Sequence, residues 1–298
     1  MSFIQLRYIT YMYPFVKTLM IKKCLFPAAG YGTRFLPVTK AIPKEMLSMV
    51  NKPLIQYGVE EAFDAGLSEI SIVTGRGKHA LEDHFDISYE LENQIKGTDQ
   101  EKYLTGIRKL LNKCSFSYIR QTQIKGLGHA ILTGRPLIGN ELFAVVLTDD
   151  LCVNVTGEGV LTQMVNLYQK YRCTIVAIQE VNPQEINKYG IIAGDYISDG
   201  LIRVRHMAEK PALEDAPSNL AIIGRYILTP DIFKLIEETK PDKSGEIQIT
   251  DALLRQAKNG CVIAYKFKGR RFDCGGAEGY IEAINFCYKY FYKANQAY

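Results

Sequence analysis

The residues best suited by type to handle a phosphate fall in one connector, FPAAGYGTRFLPVTKAIPKEML, from Phe26 to Leu47. It begins like a nucleotide loop and then departs from both familiar forms. After Gly30 and Gly32 the third glycine of the dinucleotide fingerprint is missing, and there is no Gly-Lys-Ser/Thr ending. Arg34 follows instead, with Lys44 ten residues later, directly after Pro43. Backbone N–H groups near Ala29, Gly30, Gly32 and Thr33 can ring an anion, because glycine permits close approach and positive φ. Arg34 brings a planar fork of donors, Lys44 a compact point charge. Pro37 and Pro43 stiffen the chain between and before the cations. For the glycines alone, an ordinary βα turn is the simpler account. Both glycines, Arg34, Pro43 and Lys44 in one connector point to phosphate binding.

The candidate acids lie elsewhere. Asp149 and Asp150 follow the apolar run LFAVVLT. Adjacent side chains in a strand point to opposite faces, so one could hold Mg²⁺ while its neighbour meets another ligand; a helix N-cap or a turn explains the pair as well. Asp273, in RRFDCGG, offers either a second metal carboxylate or a local Asx-turn. In AEKP, Glu209 could accept hydrogen bonds from sugar hydroxyls and Lys210 could balance a sugar phosphate; the alternative is an exposed charged turn before Pro211. Gln121, in RQTQIKGLGHA, carries a donor and an acceptor, which suits a pyrimidine edge. Gly126 and Gly128 either keep that path open or start a helix.

Other chemistries are missing. His79, His84, His129 and His206 show no metal spacing, no serine sits in a G-x-S-x-G elbow, and no cysteine has an evident base. A reaction needing neither a nucleophilic side chain nor a general base fits best. Phosphate attacking phosphate is one, since the nucleophile is already anionic and must only be aligned and neutralised.

Alternating strand-like and helix-like segments must position these groups. KKCLFPAAG, SEISIVTG, CSFSYIRQ, LFAVVLTDD and CTIVAIQEV read as strands. PLIQYGVEEAFDAG, GHAILTGRPLI and residues 159–171 read as helices between them. A β-rich stretch from Ile191 to Leu228 lies in an insertion at about 180–230 that suggests a subdomain closing over a second ligand, and helices near 230–238, 248–258 and 277–292 follow. The pattern predicts an α/β fold with a doubly wound, mostly parallel sheet. In such sheets ligands sit at the carboxyl ends of strands, which selects the glycine loop and Asp149-Asp150 together.

The chain has 298 residues and a net charge of +4 with no long basic run, so no nucleic-acid partner is expected. Seven cysteines, an odd number without C-x-x-C spacing, read as reduced thiols of a cytoplasmic protein. Residues 1–19 are aromatic but broken by Arg7 and Lys17, and lack the order of a signal peptide. They read as an extension or a mis-assigned start ahead of Met20, leaving residues 20–298 as one domain. No membrane span is expected.

Taken together the segments resemble the sugar-1-phosphate nucleotidylyltransferases. The resemblance rests on PAAGYGTRFLPVTKAIPKEML, NKPLIQYGVEEAFDAG, GLGHAIL, VVLTDDL, YGII, AEKP, SNLAIIGRYIL, GEIQITDAL and FDCG, in family order over about residues 21–290. GLGHA with KAIPKEML and GEIQITDAL is similar to the uridylyl branch. The resemblance implies a Rossmann-like fold with a β-rich sugar-binding insertion. It also implies a Mg²⁺-dependent conversion of UTP and glucose 1-phosphate into UDP-glucose and pyrophosphate. Carried over by motif, Ala28, Ala29 and Gly30, with Gly32 and Thr33, contact the nucleotide. Arg34, Lys44 and Lys210 act on phosphates, and Gln121 and Gly126 read uracil. Asp149 and Asp273 bind metal. Asp150, Gly190, Glu209, Lys210 and Gly224 form the glucose 1-phosphate pocket. A homo-oligomer, dimer or tetramer, is the expected assembly.

Overall fold

The computed structural model describes residues 20–293, so the expectation for residues 1–19 lies outside the described residues. Its strands are β1 (Lys23–Pro27), β2 (Ser48–Met49), β3 (Lys52–Pro53), β4 (Glu69–Thr74), β5 (Ser115–Arg120), β6 (Phe143–Val146) and β7 (Asp150–Val153). They continue as β8 (Thr174–Glu180), β9 (Gly190–Ser198), β10 (Leu201–Glu209), β11 (Leu220–Leu228), β12 (Val262–Lys266) and β13 (Arg270–Asp273). Nine of them form one sheet in the order β5-β4-β1-β6-β11-β8-β12-β10-β9. The β5, β4, β1 and β6 neighbours are parallel, as are β8 and β12. β11 runs antiparallel between β6 and β8.

Side chains on the sheet divide by parity, as the period of two requires. Cys24 and Phe26 of β1, with Ala144 and Val146 of β6, pack into one core with Ile55 and Val59 of helix Leu54–Asp64 and Met164 of helix Val160–Tyr171. Leu25, Phe143 and Val145 face the other way. They meet Ile131 of helix Gly126–Thr133, Phe233 of helix Ile232–Glu237 and Leu253 of helix Ile249–Asn259. Helices therefore cover both faces, and the α/β expectation holds.

The β-rich stretch behaves differently from a separate subdomain. Every residue of β11 is buried, and a strand apolar on both faces belongs in the middle of a covered sheet. It is accordingly woven in beside β6, making the sheet mixed. β9 pairs with β10 along its length and turns back to pair with the start of β11. A smaller layer of Met49, Leu54, Leu151, Phe272, Cys274, Ala283 and Cys287 packs the β7–β13 ladder onto helix Ala277–Cys287. No helix among the described residues is long and apolar enough to cross a membrane.

Candidate functional site

The parallel strands end on one side, and the connector after β1 starts there. Ala28 donates its N–H to Val73 O at 2.9 Å, so Ala28 and Ala29 are buried at the strand ends. Around Gly30 the space is open: a Cβ added there would meet no heavy atom within 4 Å. The chain then winds through single turns at Thr33–Phe35, Val38–Lys40 and Lys44–Met46. Gly32 has φ of 66°, and a Cβ on it would stand 2.9 Å from Lys44 Cβ. Only glycine lets the Lys44 stem lie across the loop in this way. Thr39 Oγ1 closes the turn on Gly32 O at 2.8 Å, and Thr33 and Arg34 are exposed.

Lys44 Nζ reaches Asp149 Oδ2 at 2.6 Å. Burial opposes the Lys44 charge, but Asp149 and Glu45 outweigh it and raise the ammonium above its ordinary pKa. Burial likewise opposes the Asp149 charge, and Lys44, with a smaller share from Arg34, holds its carboxyl below the usual value. Asp149 stands in the turn between β6 and β7, while Asp150 opens β7 opposite Asp273 of β13. The Asp149 carbonyl accepts the Cys274 N–H at 2.7 Å, and Arg34 Nη1 donates to Gly275 O at 3.3 Å. The local-turn reading of Asp273 is realised. Its Oδ1 accepts the Gly275 N–H at 3.0 Å in an Asx-type turn, and its carboxylate still lines the cleft.

These acids fit a magnesium ion. A Cβ on Gly275 would lie 3.0 Å from Arg34 Nη1, 3.1 Å from Asp273 Oδ1 and 3.4 Å from Asp149 Oδ2, so the two carboxylates approach one place that Arg34 also reaches. Magnesium uses one or two carboxylates and completes its shell with phosphate and water. No group of three or more His, Cys, Asp or Glu side chains suited to a metal occurs among the described residues.

Asp150 and Gly224 serve the wall. Asp150 Oδ2 accepts the Gly224 N–H at 2.8 Å, and its Oδ1 accepts from Arg271 Nε. Burial raises the Asp150 carboxyl, with Arg271 opposing the rise. Gly224 O is taken by Leu147 N–H at 2.9 Å and Arg225 Nη1 at 3.0 Å. A Cβ at Gly224 would lie 2.5 Å from Leu147 Cβ. Gly224 therefore shapes the cavity while its own polar groups are committed. Gly190 faces Glu209 across the β9–β10 pair, and Thr250 Oγ1 donates to Glu209 Oε2 at 2.6 Å. Lys210 adopts φ of 45°, its N–H bonded to Tyr189 O at 2.9 Å and its Nζ 3.5 Å from Glu209 Oε1.

One cavity of about 520 Å³ brings Arg34, Asp149, Asp150 and Asp273 together with Gly190, Glu209 and Gly224. Lys44 meets it through Asp149. Gln121 and Gly126 stand outside its lining, although Leu127 belongs to it. Gln121 continues β5, its N–H on Thr74 O at 2.9 Å, one strand beyond β4, which itself adjoins β1. Gly126 has φ of 83°. The surrounding residues clip onto GEIQITDAL, with Ile247 N–H on Lys125 O and Gly128 N–H on Ile247 O, each at 2.9 Å.

A family model described as nucleotidyl transferase matches residues 25–289. The chain belongs to the nucleotidyl transferase family. It is 85% identical over 279 residues to a UTP–glucose-1-phosphate uridylyltransferase of Pseudomonas aeruginosa, covering 94% of this chain and 100% of the relative. Among solved structures it is similar to a UDP-glucose pyrophosphorylase complexed with UDP-glucose. That match has a TM-score of 0.85 and 62% identity, over 91% of this chain and 99% of the other. It is also similar to a UTP-bound UGPase from Acinetobacter baumannii, with a TM-score of 0.83 and 35% identity over 93% and 98% of the two chains.

This nucleotidyl transferase also uses residues that sequence reasoning passed over. Beneath Lys44, the fully buried Glu45 takes Lys78 Nζ on Oε2 at 2.6 Å, and its Oε1 has no partner. Burial pushes Glu45 up and Lys78 down. Beneath the Asp149 turn, Arg225 binds Glu61 Oε2 at 2.8 Å and Leu147 O at 3.1 Å. Glu61 Oε1 also accepts the Leu161 N–H at 3.0 Å, at the start of helix Val160–Tyr171. Arg271 spans Asp150, Asp273 and the Tyr189 hydroxyl. Glu45 lay within a quoted motif, and Arg271 two residues before Asp273. Arg225 directly follows Gly224 in SNLAIIGRYIL, and nothing local marked Lys78.

Proposed function

We propose that this nucleotidyl transferase moves a uridylyl group from UTP to α-D-glucose 1-phosphate, giving UDP-glucose and pyrophosphate. The observation that carries the reading is the shared cavity, in which the candidate phosphate and metal groups meet the candidate sugar pocket without a nucleophilic side chain between them. The relatives named for this activity, and the related structures with UDP-glucose and with UTP, support it.

In the proposed reaction a phosphate oxygen of glucose 1-phosphate attacks the α-phosphorus of UTP in line, and pyrophosphate leaves. Arg34 and the N–H groups around Gly30, Gly32 and Thr33 face the charge that gathers on the leaving group. Lys44 and Lys210 offset the repulsion between two polyanions, so that binding supplies the alignment. Gln121 and Gly126 hold the base, and Ala28 and Ala29 offer backbone groups to the nucleotide. Glu209 accepts from sugar hydroxyls, while Asp150, Gly190 and Gly224 shape the space around the sugar. Asp149 and Asp273 would hold Mg²⁺, which when bound supplies positive charge to the phosphoryl oxygens. The protein works in the cytoplasm as a homo-oligomer.

The test is pyrophosphate release from a panel of UTP, dTTP, CTP and ATP against glucose 1-phosphate and two other hexose 1-phosphates, with and without Mg²⁺. Highest kcat/KM for UTP with glucose 1-phosphate is expected. Equal rates across the panel, or nucleotide binding without turnover, would reject the reading.

A further inference from the structure

Gln121 poses a problem that its sequence position does not solve. A primary amide has an acceptor end and a donor end of nearly the same shape. Turned one way it complements uracil, whose N3–H donor lies beside a carbonyl acceptor. Turned the other way it complements cytosine, whose N3 acceptor lies beside an amino donor. Something must fix which way the amide points.

The structure supplies a partner. Gln121 is only 4% exposed, and its N–H is tied to Thr74 O, so the side chain leaves the end of β5 from an anchored backbone. Its Nε2 lies 2.7 Å from His129 Nδ1. His129 sits in helix Gly126–Thr133, whose first turn is clipped to Ile247. The imidazole is therefore carried on a fixed element. Burial, with a smaller contribution from the Lys125 ammonium, lowers the His129 pKa and so favours the neutral ring. A neutral ring protonated on Nε2 presents a lone pair at Nδ1, which takes one of the two Gln121 amide protons.

We propose that His129 sets the choice of base by locking the Gln121 amide, leaving Oε1 to accept from N3–H and the second amide proton to donate to the adjacent carbonyl of a uracil-type base. Cytosine needs the amide reversed, which sets Gln121 Oε1 against the Nδ1 lone pair of His129. With the ring protonated on Nε2, reversal costs the Gln121–His129 hydrogen bond, so the discrimination is worth about one hydrogen bond, roughly tenfold. Thymine presents the same edge as uracil and is unaffected. His129 is a positioning residue, acting through Gln121, and its role rests on the uridylyl reading above.

The experiment measures kcat/KM by pyrophosphate release for UTP, CTP and dTTP with glucose 1-phosphate, together with thermal midpoints. In His129→Phe the UTP-to-CTP ratio is expected to fall about tenfold while the UTP-to-dTTP ratio stays constant. His129→Asp, whose carboxylate accepts and cannot donate, is expected to recover the UTP-to-CTP ratio. If His129→Phe does not fold, His129→Met carries the same arm. An unchanged UTP-to-CTP ratio in the non-accepting variant, an equal shift in the dTTP ratio, or no recovery in His129→Asp would overturn the proposal. A wild-type protein with no preference for UTP over CTP would instead reject the uridylyl reading itself.

Discussion

Lys44 stands over the buried pair Glu45–Lys78, and the opposite wall of the cleft is held by Arg271 between Asp150 and Asp273. The first cluster is balanced, because Lys44 is also paired with Asp149 and two ammoniums meet two carboxylates; the second sets two carboxylates around one guanidinium. The balanced cluster lies next to the glycine loop, where phosphates are proposed to bind. The excess negative charge lies at Asp150 and Asp273, and Asp273 also approaches Asp149 beside Gly275. The wall thus keeps a negative charge that a cation would complete, whereas the loop cluster is neutral within itself. They also differ in finish. Glu45 Oε1 has no partner, whereas both Asp150 oxygens are bonded.

The largest expected effect is in the wall. Arg271→Leu would leave Asp150 and Asp273 facing each other without their cation, and breaking such a buried pair costs about 3–5 kcal/mol. Urea unfolding measures it; a loss below about 1 kcal/mol would show that the carboxylates find other partners. Next comes Lys44→Ala, for which kcat should fall by about 10²–10³ while loss of the Asp149 pair lowers stability by about 1 kcal/mol. Near-normal turnover would remove Lys44 from the chemistry.

Lys78→Met should destabilise by about 1–3 kcal/mol, less than Arg271→Leu, because Lys44 still offsets Glu45. The reverse order in the same urea experiment would break the comparison between the halves. The smallest effect is pH-dependent. The Asp149 pKa is depressed in the folded protein, so its ion pair contributes stability above the unfolded carboxylate value of about 3.9 and loses it as pH falls through the folded value. The side chains of Lys44 and Asp149 remain 22% and 32% exposed, which limits the contribution to about 1 kcal/mol. The stability gap between wild type and Lys44→Met should therefore be present at pH 6 and close in strong acid. A gap independent of pH would assign it to packing of the Lys44 stem.

Several site features were legible because they are local. The glycine loop with Arg34 and Lys44, the acid pair after an apolar strand, and Glu209-Lys210 each lie within a short run of chain. The alternation of strands and helices likewise announced an α/β sheet, since periodicity records which face is buried. The β-rich stretch was misjudged as a subdomain because local pattern does not reveal where a strand inserts. β11 enters the sheet between β6 and β8 only because both its faces must be covered.

What the amino-acid sequence determined by itself was the chemical vocabulary: a loop able to ring an anion, cations set apart by prolines, acids at strand ends, and an ordered set of motifs resembling one family. Tertiary structure alone decided which charges are spent and which remain for a ligand. Glu45 and Lys78 are 33 residues apart, Asp150 and Arg271 are 121, and Glu61 and Arg225 are 164. The physical reason is that charge pairing depends on distance through space and on burial, neither of which is written in local spacing. The same holds for Gln121, whose amide meets Nδ1 of His129 only because a neighbouring helix brings the ring against it.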